Sequence, residues 1–331
     1  MNELISVIIP FWKVPGIQLR YCINSFLKQS YKNFELILIS DGNSLNEYND
    51  LLEEYKLLDS RIKIVYQKKL GVSAARNNGI NQAKGVYVVL CDSDDFVESN
   101  FLEIMYENIL HNDLVICGIA EQFFPVVNSR VDFQYFVSKP SQYNYPQYTN
   151  FSVNKIYKKS ILDKFNIRFS SSMQMGEDAL FVADYIKHCA YIKCLKNSLY
   201  HYRWNGFSAM NRYNSIFWLN EQNVIKSQYD LFFTYNLSKE EKVFMTKWLY
   251  IKLKDAFYYY LRKADNKDDM RLYVGKIINS EIFSELLRKK EENSCRFSFR
   301  DNLIILLWRH CGVSGPFLMM YLSKMKHLIL Q

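Results

Sequence analysis

The sequence predicts an α/β fold in which a mostly parallel sheet, flanked by helices, is followed by a helical C-terminal region. Between Leu4 and Ala120, short runs rich in Val and Ile alternate with stretches of helical periodicity. Parallel neighbours need a crossover connection, and strands buried on both faces have continuous apolar sequences. The predicted strands are, in chain order, LISVIIP, FELILIS, IKIVYQ, VYVVLCD and DLVICGIA. Ligands are therefore expected beyond the carboxyl ends of these strands.

The rest of the chain contains three kinds of sequence. Residues 123–150 are rich in Tyr, Phe, Ser, Gln and Asn and contain three Pro, which indicates an irregular connection. Ordered structure is predicted to resume with NKIYKKSIL, a helix beginning near Glu177 and a hairpin-like YIKCLKNSLYHYRW. From Ile216 onward the pattern is helical almost to the end.

Composition and charge narrow the class of protein. The chain has 331 residues, of which 49% are hydrophobic, enough for one large domain and an annex. A formal charge of +8 suits a diphosphate, an acidic lipid surface or nucleic acid. Seven scattered Cys, without CxxC or zinc-like spacing, indicate thiols in a reducing compartment. The apolar run from Ile5 to Trp12 is too short to span a membrane and has no signal-peptide features, so we expect a cytoplasmic protein.

An acidic cluster, CDSDDF at residues 91–96, directly follows the predicted strand VYVVL. Like charges raise one another's pKa, so Asp92, Asp94 and Asp95 at the tip of a buried strand would be costly without a cation. Mg²⁺ and Mn²⁺ take oxygen ligands and commonly share coordination with substrate phosphates. The alternative is an acidic turn at a helix start, where capping and the helix dipole favour Asp.

The tips of the first two strands lie beside this cluster in a parallel sheet. The first strand ends in Pro10, Phe11 and Trp12, and the second ends in Ser40 and Asp41. An aromatic face can stack on a base, and a carboxylate can accept a hydrogen bond from an imide N–H such as that of uracil. Core packing is the alternative for Trp12.

The segment GVSAARNNGI at residues 71–80 is predicted to open a helix whose N-terminus can face an anion. Arg76 lies about one turn inside it, where a guanidinium can reach a phosphate or base, and a surface salt bridge is the alternative. Neither GxGxxG after a strand nor GxxxxGK[ST] is present, which disfavours dinucleotide-binding and P-loop proteins.

Taken in order, SVIIPFW, LKQSYKNFELILISDG, GVSAARNNGI, CDSDDF, NKIYKKSIL and GEDALF resemble the bacterial family-2 glycosyltransferases of GT-A fold. The resemblance covers roughly residues 4–205. It implies a nucleotide-sugar donor, usually a UDP-sugar, a Mn²⁺ or Mg²⁺ cofactor, and transfer of a hexosyl or N-acetylhexosaminyl group with inversion at the anomeric carbon.

The resemblance also implies roles for individual residues. Residues implied to bind the donor are Pro10, Trp12, Asp41, Arg76, Asp92, Asp94 and Arg203. Those implied to bind the metal are Asp94 and Asp95. Tyr202, Arg203 and Ser208 resemble a segment that closes over the diphosphate, and His201 is expected in the hairpin rather than on the metal. The sequence departs from the family where Ser40 replaces an Asp and where Trp12-Lys13 replaces a Tyr-Asn pair, which bears on the identity of the donor.

The motif GEDALF completes the implied site. An inverting transfer needs a base that takes the proton of the acceptor hydroxyl, and a carboxylate suits that task. By resemblance Asp178 is the base, with Glu177 as a helper or acceptor ligand. Acidic residues in a first helical turn are also favoured by the helix dipole alone, which is the structural alternative.

The expected organisation is a GT-A catalytic domain over residues 1–211 and a helical region over 212–331. Within the domain, residues 1–120 would bind the nucleotide sugar, and 121–211 would hold the acceptor and base. The acceptor is expected to be a growing cell-surface polysaccharide or a lipid-linked oligosaccharide, and no nucleic-acid partner is expected. A nucleotidyltransferase of related sheet architecture and a non-catalytic sugar-nucleotide or membrane-binding protein are the alternatives.

The last thirty residues, 302–331, contain two apolar stretches interrupted by Arg309, His310 and a Gly-to-Pro break. Neither reaches the ~20 residues of a spanning helix. Such helices can lie on an anionic membrane, or they can pack on the domain or on a second copy of the chain. Peripheral membrane contact and a homo-oligomer are therefore both expectations.

Overall fold

A computed structural model describes residues 2–42, 45–120, 127–173, 175–203, 216–263, 267–311 and 314. The chain divides into two compact units. The first comprises Met1–Val137 with Gln142–Ser208, and the second comprises Ser138–Ser141 with Ala209–Gln331. The predicted division after residue 211 lies in a stretch, 204–215, outside the described ranges.

A single sheet organises the first unit. Its strands are β1 (Ile5–Phe11), β2 (Phe34–Asp41), β3 (Ile62–Gln67), β4 (Tyr87–Leu90), β5 (Phe96–Val97), β6 (Leu114–Ala120), β7 (Ser129–Asp132), β8 (Lys155–Lys158) and β9 (Tyr191–His201). They are ordered β3-β2-β1-β4-β8-β6-β9-β5, and β7 also pairs with β9. Strands β1 to β4 are mutually parallel, β6 and β9 are parallel, and β8 runs antiparallel between β4 and β6. The predicted α/β fold with a mostly parallel sheet is confirmed.

Helices cover this sheet. They are α1 (Gly16–Leu27), α2 (Leu45–Leu58), α3 (Val72–Gln82), α4 (Phe101–Ile109), α8 (Lys159–Lys164) and α9 (Glu177–Ile186). Three short helices follow β7: α5 (Phe133–Ser138), α6 (Pro140–Tyr143), which spans a boundary between the two units, and α7 (Pro146–Thr149). The central strands are apolar because both of their faces are buried, as in β1, which is buried along its whole length. In register, Phe11 lies opposite Ser40, so the carboxyl ends of β1 and β2 meet at one edge.

Two local predictions were wrong. Residues 191–201 form one long strand rather than a hairpin, because the turn-like Lys-Asn-Ser sequence at 196–198 is absorbed by register shifts against β6. Residues 123–150 are not simply irregular, since β7 and helices α5 to α7 fall within them. Short aromatic helices of this kind have too few turns to show a helical period in sequence.

The second unit is helical, as predicted. Its helices are α10 (Phe217–Phe232), α11 (Lys239–Lys263), α12 (Lys267–Ile278), α13 (Glu281–Glu292) and α14 (Phe299–Cys311). The long helix α11 contacts α10, α12 and α13, and Trp308 of α14 stacks on Phe257 of α11. None of the described helices combines the length and apolar character that a membrane span requires. Residues 315–331, part of the predicted membrane or oligomer contact, lie outside the described residues.

Candidate active site

Arg76 joins the end of a strand to the start of a helix in the first unit. It lies in α3 and is only 4% exposed. Its guanidinium donates to Asp92 Oδ1 at 2.7 Å, just after β4, and to Asp178 Oδ1 at 2.8 Å, in the first turn of α9. Glu177 Oε1 lies 3.6 Å away. Burial lowers the pKa of Arg76, but the charges of Asp178, Asp92 and Glu177 outweigh burial and raise it, so the guanidinium stays charged.

Arg76 is buried in this network of ion pairs, and its contact with a ligand phosphate or base stays a prediction. A buried guanidinium must be neutralised, and the two carboxylates beside it do so. Although Nε is buried, it has no hydrogen-bond partner among the residues that the structure describes. Arg76 therefore connects the acidic loop after β4 to the predicted base on α9.

Asp178 lies where a general base was expected, at the beginning of α9. Gly176, with φ of 82°, permits the turn that brings the chain into this helix. In the described structure both hydrogen bonds to the Asp178 carboxylate end on Oδ1, one from Arg76 and one from Ser152 Oγ at 2.8 Å. Oδ2 therefore remains to accept a proton.

The pKa values of the two acidic residues in the first turn of α9 are shifted in the direction that favours proton transfer. Burial raises the pKa of Asp178, although Arg76 opposes this. Burial and the charge of Asp178 raise the pKa of Glu177. A carboxylate with a raised pKa is a stronger base than an exposed one, as long as it is ionised at the working pH.

Asp95 is the most buried of the three carboxylates that follow β4, at 1% exposure. Its Oδ2 accepts from Tyr200 Oη at 2.6 Å, and its Oδ1 accepts from the backbone N–H of Arg203 at 2.8 Å. Burial and the charge of Asp92 raise the pKa of Asp95 to about 8. Through these contacts Asp95 holds the acidic loop against the end of β9. The sequence did not predict this structural role.

A divalent cation suits Asp92 and Asp94 better than Asp95. The side chain of Asp92 is 35% exposed and Asp94 is half-buried, whereas Asp95 is 1% exposed and both of its oxygens accept hydrogen bonds within the protein. Among the described residues, no group of three or more His, Cys, Asp or Glu is arranged to hold a metal ion. Mg²⁺ often takes only one or two carboxylates and completes its coordination with phosphates and water. The donor set therefore fits a metal shared with a diphosphate.

Asp41, at the tip of β2, is saturated with donors. Its carboxylate accepts from Gln67 Nε2, Lys69 Nζ and the backbone N–H groups of Leu70 and Gly71, all at 2.8–3.0 Å. Burial by itself raises the pKa of Asp41, but these hydrogen bonds outweigh it and lower the pKa. Asp41 thus holds the loop that leads into α3. A hydrogen bond from a base N–H would have to replace one of these donors, and it stays a prediction.

Trp12 lies just beyond β1 with 44% of its surface exposed. Lys69 Nζ stands 3.5 Å from the centre of the indole ring and also bonds Asp41. Gly42 makes this approach possible, because a Cβ there would come within 2.5 Å of Lys69 Cβ, and its φ is 76°. The structure therefore brings Trp12 and Asp41 together, as predicted. Pro10 is instead buried within β1.

Arg203 lies beside two aromatic rings. Its guanidinium carbon lies 5.3 Å from the ring centre of Tyr21 and 5.5 Å from that of Phe96, and its role on the diphosphate stays a prediction. His201 bonds Glu98 at 2.6 Å and lies at the end of β9 rather than in the predicted hairpin. Ser208 lies outside the described residues.

Several residues of this site carried no role in the sequence. Ser152, Tyr200 and Lys69 contact the predicted carboxylates, yet no motif marks a hydroxyl or lysine at those positions. For Lys69, the sequence contains one signal: two lysines at 68–69 stand just before the GVSAARNNGI segment, where a cation could meet a carboxylate at a strand tip.

Known proteins are similar to the part of the chain that contains most of this site. The family described as Glycosyl transferase family 2 matches residues 6–170. The chain is 29% identical over 216 residues to "Uncharacterized glycosyltransferase EpsJ" of Bacillus subtilis, covering 62% of each chain. It is also 29% identical over 214 residues to "Poly(ribitol-phosphate) beta-N-acetylglucosaminyltransferase TarP" of Staphylococcus aureus, covering 62% of this chain and 64% of that one. Each alignment thus spans less than two thirds of the relative's length.

A solved structure shares the fold. S. aureus TarS 1-349, determined in complex with UDP-GlcNAc, superposes with a TM-score of 0.64 at 17% identity. The superposition covers 87% of this chain and 88% of the TarS chain. At this level of identity the likeness concerns the fold.

Proposed function

Since the chain belongs to Glycosyl transferase family 2, we propose that it is a metal-dependent inverting enzyme that uses a UDP-sugar donor. The sugar would be a hexosyl or N-acetylhexosaminyl group, passed to a hydroxyl of a growing cell-surface polysaccharide or lipid-linked oligosaccharide. The observation that carries the proposal is the bridge from Asp92 through Arg76 to Asp178. The buried guanidinium of Arg76 donates both to Asp92, a predicted donor-binding carboxylate, and to Asp178, the predicted base.

Asp178 is proposed as the base. In a single displacement, the acceptor oxygen bonds to the anomeric carbon while the bond from that carbon to the diphosphate oxygen breaks. The acceptor proton passes to Asp178, whose Oδ1 is oriented by Arg76 and Ser152. Holding one oxygen in place leaves the other in a defined position for the acceptor hydroxyl, which is the geometric requirement for general base catalysis.

Asp92 and Asp94 are proposed to hold Mn²⁺ or Mg²⁺, and the metal, when bound, neutralises the charge of the leaving diphosphate. Asp95 supports this loop through Tyr200 and Arg203. This division of roles revises the ligand pair Asp94 and Asp95 implied by the resemblance, because the oxygens of Asp95 are engaged inside the protein.

Trp12, Asp41 and Lys69 are proposed to form the base end of the donor site. Lys69 lies over the ring of Trp12, which is 44% exposed, and also pairs with Asp41. A uracil ring can stack on an indole face. The UDP-GlcNAc complex of TarS supports a UDP-sugar as the donor class, and the N-acetylglucosaminyltransferase TarP supports an N-acetylhexosaminyl group. Peripheral contact with an anionic membrane and homo-oligomer formation stay predictions.

Donor turnover tests the proposal directly. Purified protein is incubated with a panel of nucleotide sugars, with Mn²⁺ or with EDTA, and release of the nucleoside diphosphate is measured. We expect release from a UDP-sugar with Mn²⁺ and none with EDTA, and we expect Asp94→Asn to abolish it. Full activity in EDTA would contradict the metal assignment, release of a sugar 1-phosphate, which requires cleavage between the two phosphates, would indicate a nucleotidyltransferase, and binding without turnover of any donor would indicate a non-catalytic protein.

A further inference from the structure

Lys155 is a fully buried lysine in β8, with 0% exposure, and no step described so far uses it. A charged group inside a protein is costly unless it is well bonded. Lys155 Nζ lies 2.8 Å from Gln147 O, 2.7 Å from Phe151 O and 2.9 Å from Asn154 Oδ1, with Val153 O at 3.5 Å. The sequence offered it only as part of NKIYKKSIL, without a role.

The geometry around Nζ identifies its protonation state. Three oxygen acceptors lie within 2.9 Å, and a neutral amine has only two N–H groups to give them, whereas an ammonium has three. Burial lowers the pKa of Lys155 to about 7. Hydrogen bonds to three oxygens stabilise the charged form, so Lys155 carries a positive charge below about pH 7 and loses it as the pH rises above that value.

The acceptors of Lys155 belong to the segment that carries Ser152. Within residues 151–154, Lys155 bonds the carbonyl of Phe151 and the side chain of Asn154, and Tyr157 Oη donates to the carbonyl of Ser152. Asn154, with φ of 55°, is itself fixed through Nδ2 on Cys117 O. Segment 151–154 is therefore tied at successive residues, and Ser152 Oγ is left to donate to Asp178 Oδ1.

We propose that Lys155 is a positioning residue for proton transfer, holding segment 151–154 so that Ser152 orients Asp178, while its positive charge favours the ionised base. This inference rests on the proposed function, in which Asp178 takes the acceptor proton. The charged and titratable groups that act on Asp178 are Arg76, Asp92, Glu177, Lys155 and Tyr157. Lys155 acts through Ser152 and through space, since its hydrogen bonds end on other residues.

Lys155→Met tests the proposal, with Lys158→Met as a matched control on the same strand. Lys158 pairs with Asp113 at 2.8 Å, so its replacement removes a lysine contact from the same strand without touching segment 151–154. We expect Lys155→Met to lower kcat by up to about 10²-fold, with the donor KM unchanged. Because removal of a positive charge raises the pKa of Asp178, the acidic limb of the pH–kcat profile should move to higher pH. Lys158→Met should leave both kcat and the profile unchanged.

The outcomes separate this inference from the function on which it rests. A wild-type protein that transfers sugar, together with an unchanged kcat and pH profile in Lys155→Met, would overturn the role of Lys155 alone. A wild-type protein without transfer would overturn the proposed function instead. If circular dichroism shows that Lys155→Met is unfolded, Tyr157→Phe, which removes only the hydroxyl on the Ser152 carbonyl, takes its place. A lowered kcat at unchanged donor KM then supports the tied segment, and an unchanged kcat overturns it.

Discussion

Asp41 and Asp178 are both predicted site carboxylates of the first unit, yet the protein binds them in opposite ways. Asp41 accepts hydrogen bonds from four donors on both oxygens, and its pKa is lowered. Within the described part of the chain Asp178 accepts hydrogen bonds on Oδ1 alone, and burial raises its pKa. The saturated carboxylate is a permanent anion that fixes a loop, whereas the other keeps an oxygen and a pKa suited to proton transfer. Residue type alone therefore does not assign a role in this site.

The largest effect is expected from Asp178→Asn. The amide keeps the shape of the side chain but cannot take the acceptor proton, so kcat should fall by about 10²- to 10⁴-fold with little change in donor KM. Asp184→Asn, on the exposed part of the same helix where it pairs with Lys187, is the matched control and should be silent. A fall in kcat of the same size in both variants would indicate that the helix, not the base, had been damaged.

Asp41→Asn is expected to lower kcat less than Asp178→Asn does, and to lower the free energy of unfolding more. The amide nitrogen cannot accept the N–H groups that now meet the carboxylate, and each donor left unbonded costs about 1–3 kcal/mol. Because the folded pKa of Asp41 is lowered, its contribution is present above the unfolded value of about 4 and is lost as pH falls through the folded pKa. Urea unfolding should show the wild-type advantage near pH 7 and its decline below pH 4. A pH-independent difference would contradict this account of Asp41.

The smallest effect is expected from Trp12→Ala. Loss of an exposed stacking face is worth about 1–3 kcal/mol by analogy with base stacking on aromatic side chains. Donor KM should rise while acceptor KM stays the same, and Trp12→Phe should restore most of the loss because it keeps a ring. Steady-state kinetics, with donor and acceptor concentrations varied in turn, measures the two KM values separately. A change confined to acceptor KM would remove Trp12 from the donor site.

The sequence was sufficient to predict strands β1 to β4 and β6 and to select the candidate carboxylates. Continuous apolar runs such as that of β1 predict buried parallel strands, and the ends of those strands then meet by geometry. The contacts between Arg76 and Asp178, 102 positions apart, depend on how α9 packs, which no local pattern encodes. The same holds for Lys155, because an isolated lysine is expected on the surface and only the folded chain shows that it is buried.

Calorimetric titration of UDP, in the presence of Mn²⁺, into wild-type protein and Asp178→Asn tests the central claim most directly. The claim is that donor binding and proton transfer belong to different carboxylates, linked by Arg76. We expect the two proteins to bind UDP with equal affinity, although only the wild type transfers sugar. Loss of UDP binding in Asp178→Asn, in parallel with loss of activity, would contradict the claim and make Asp178 a structural partner of Arg76.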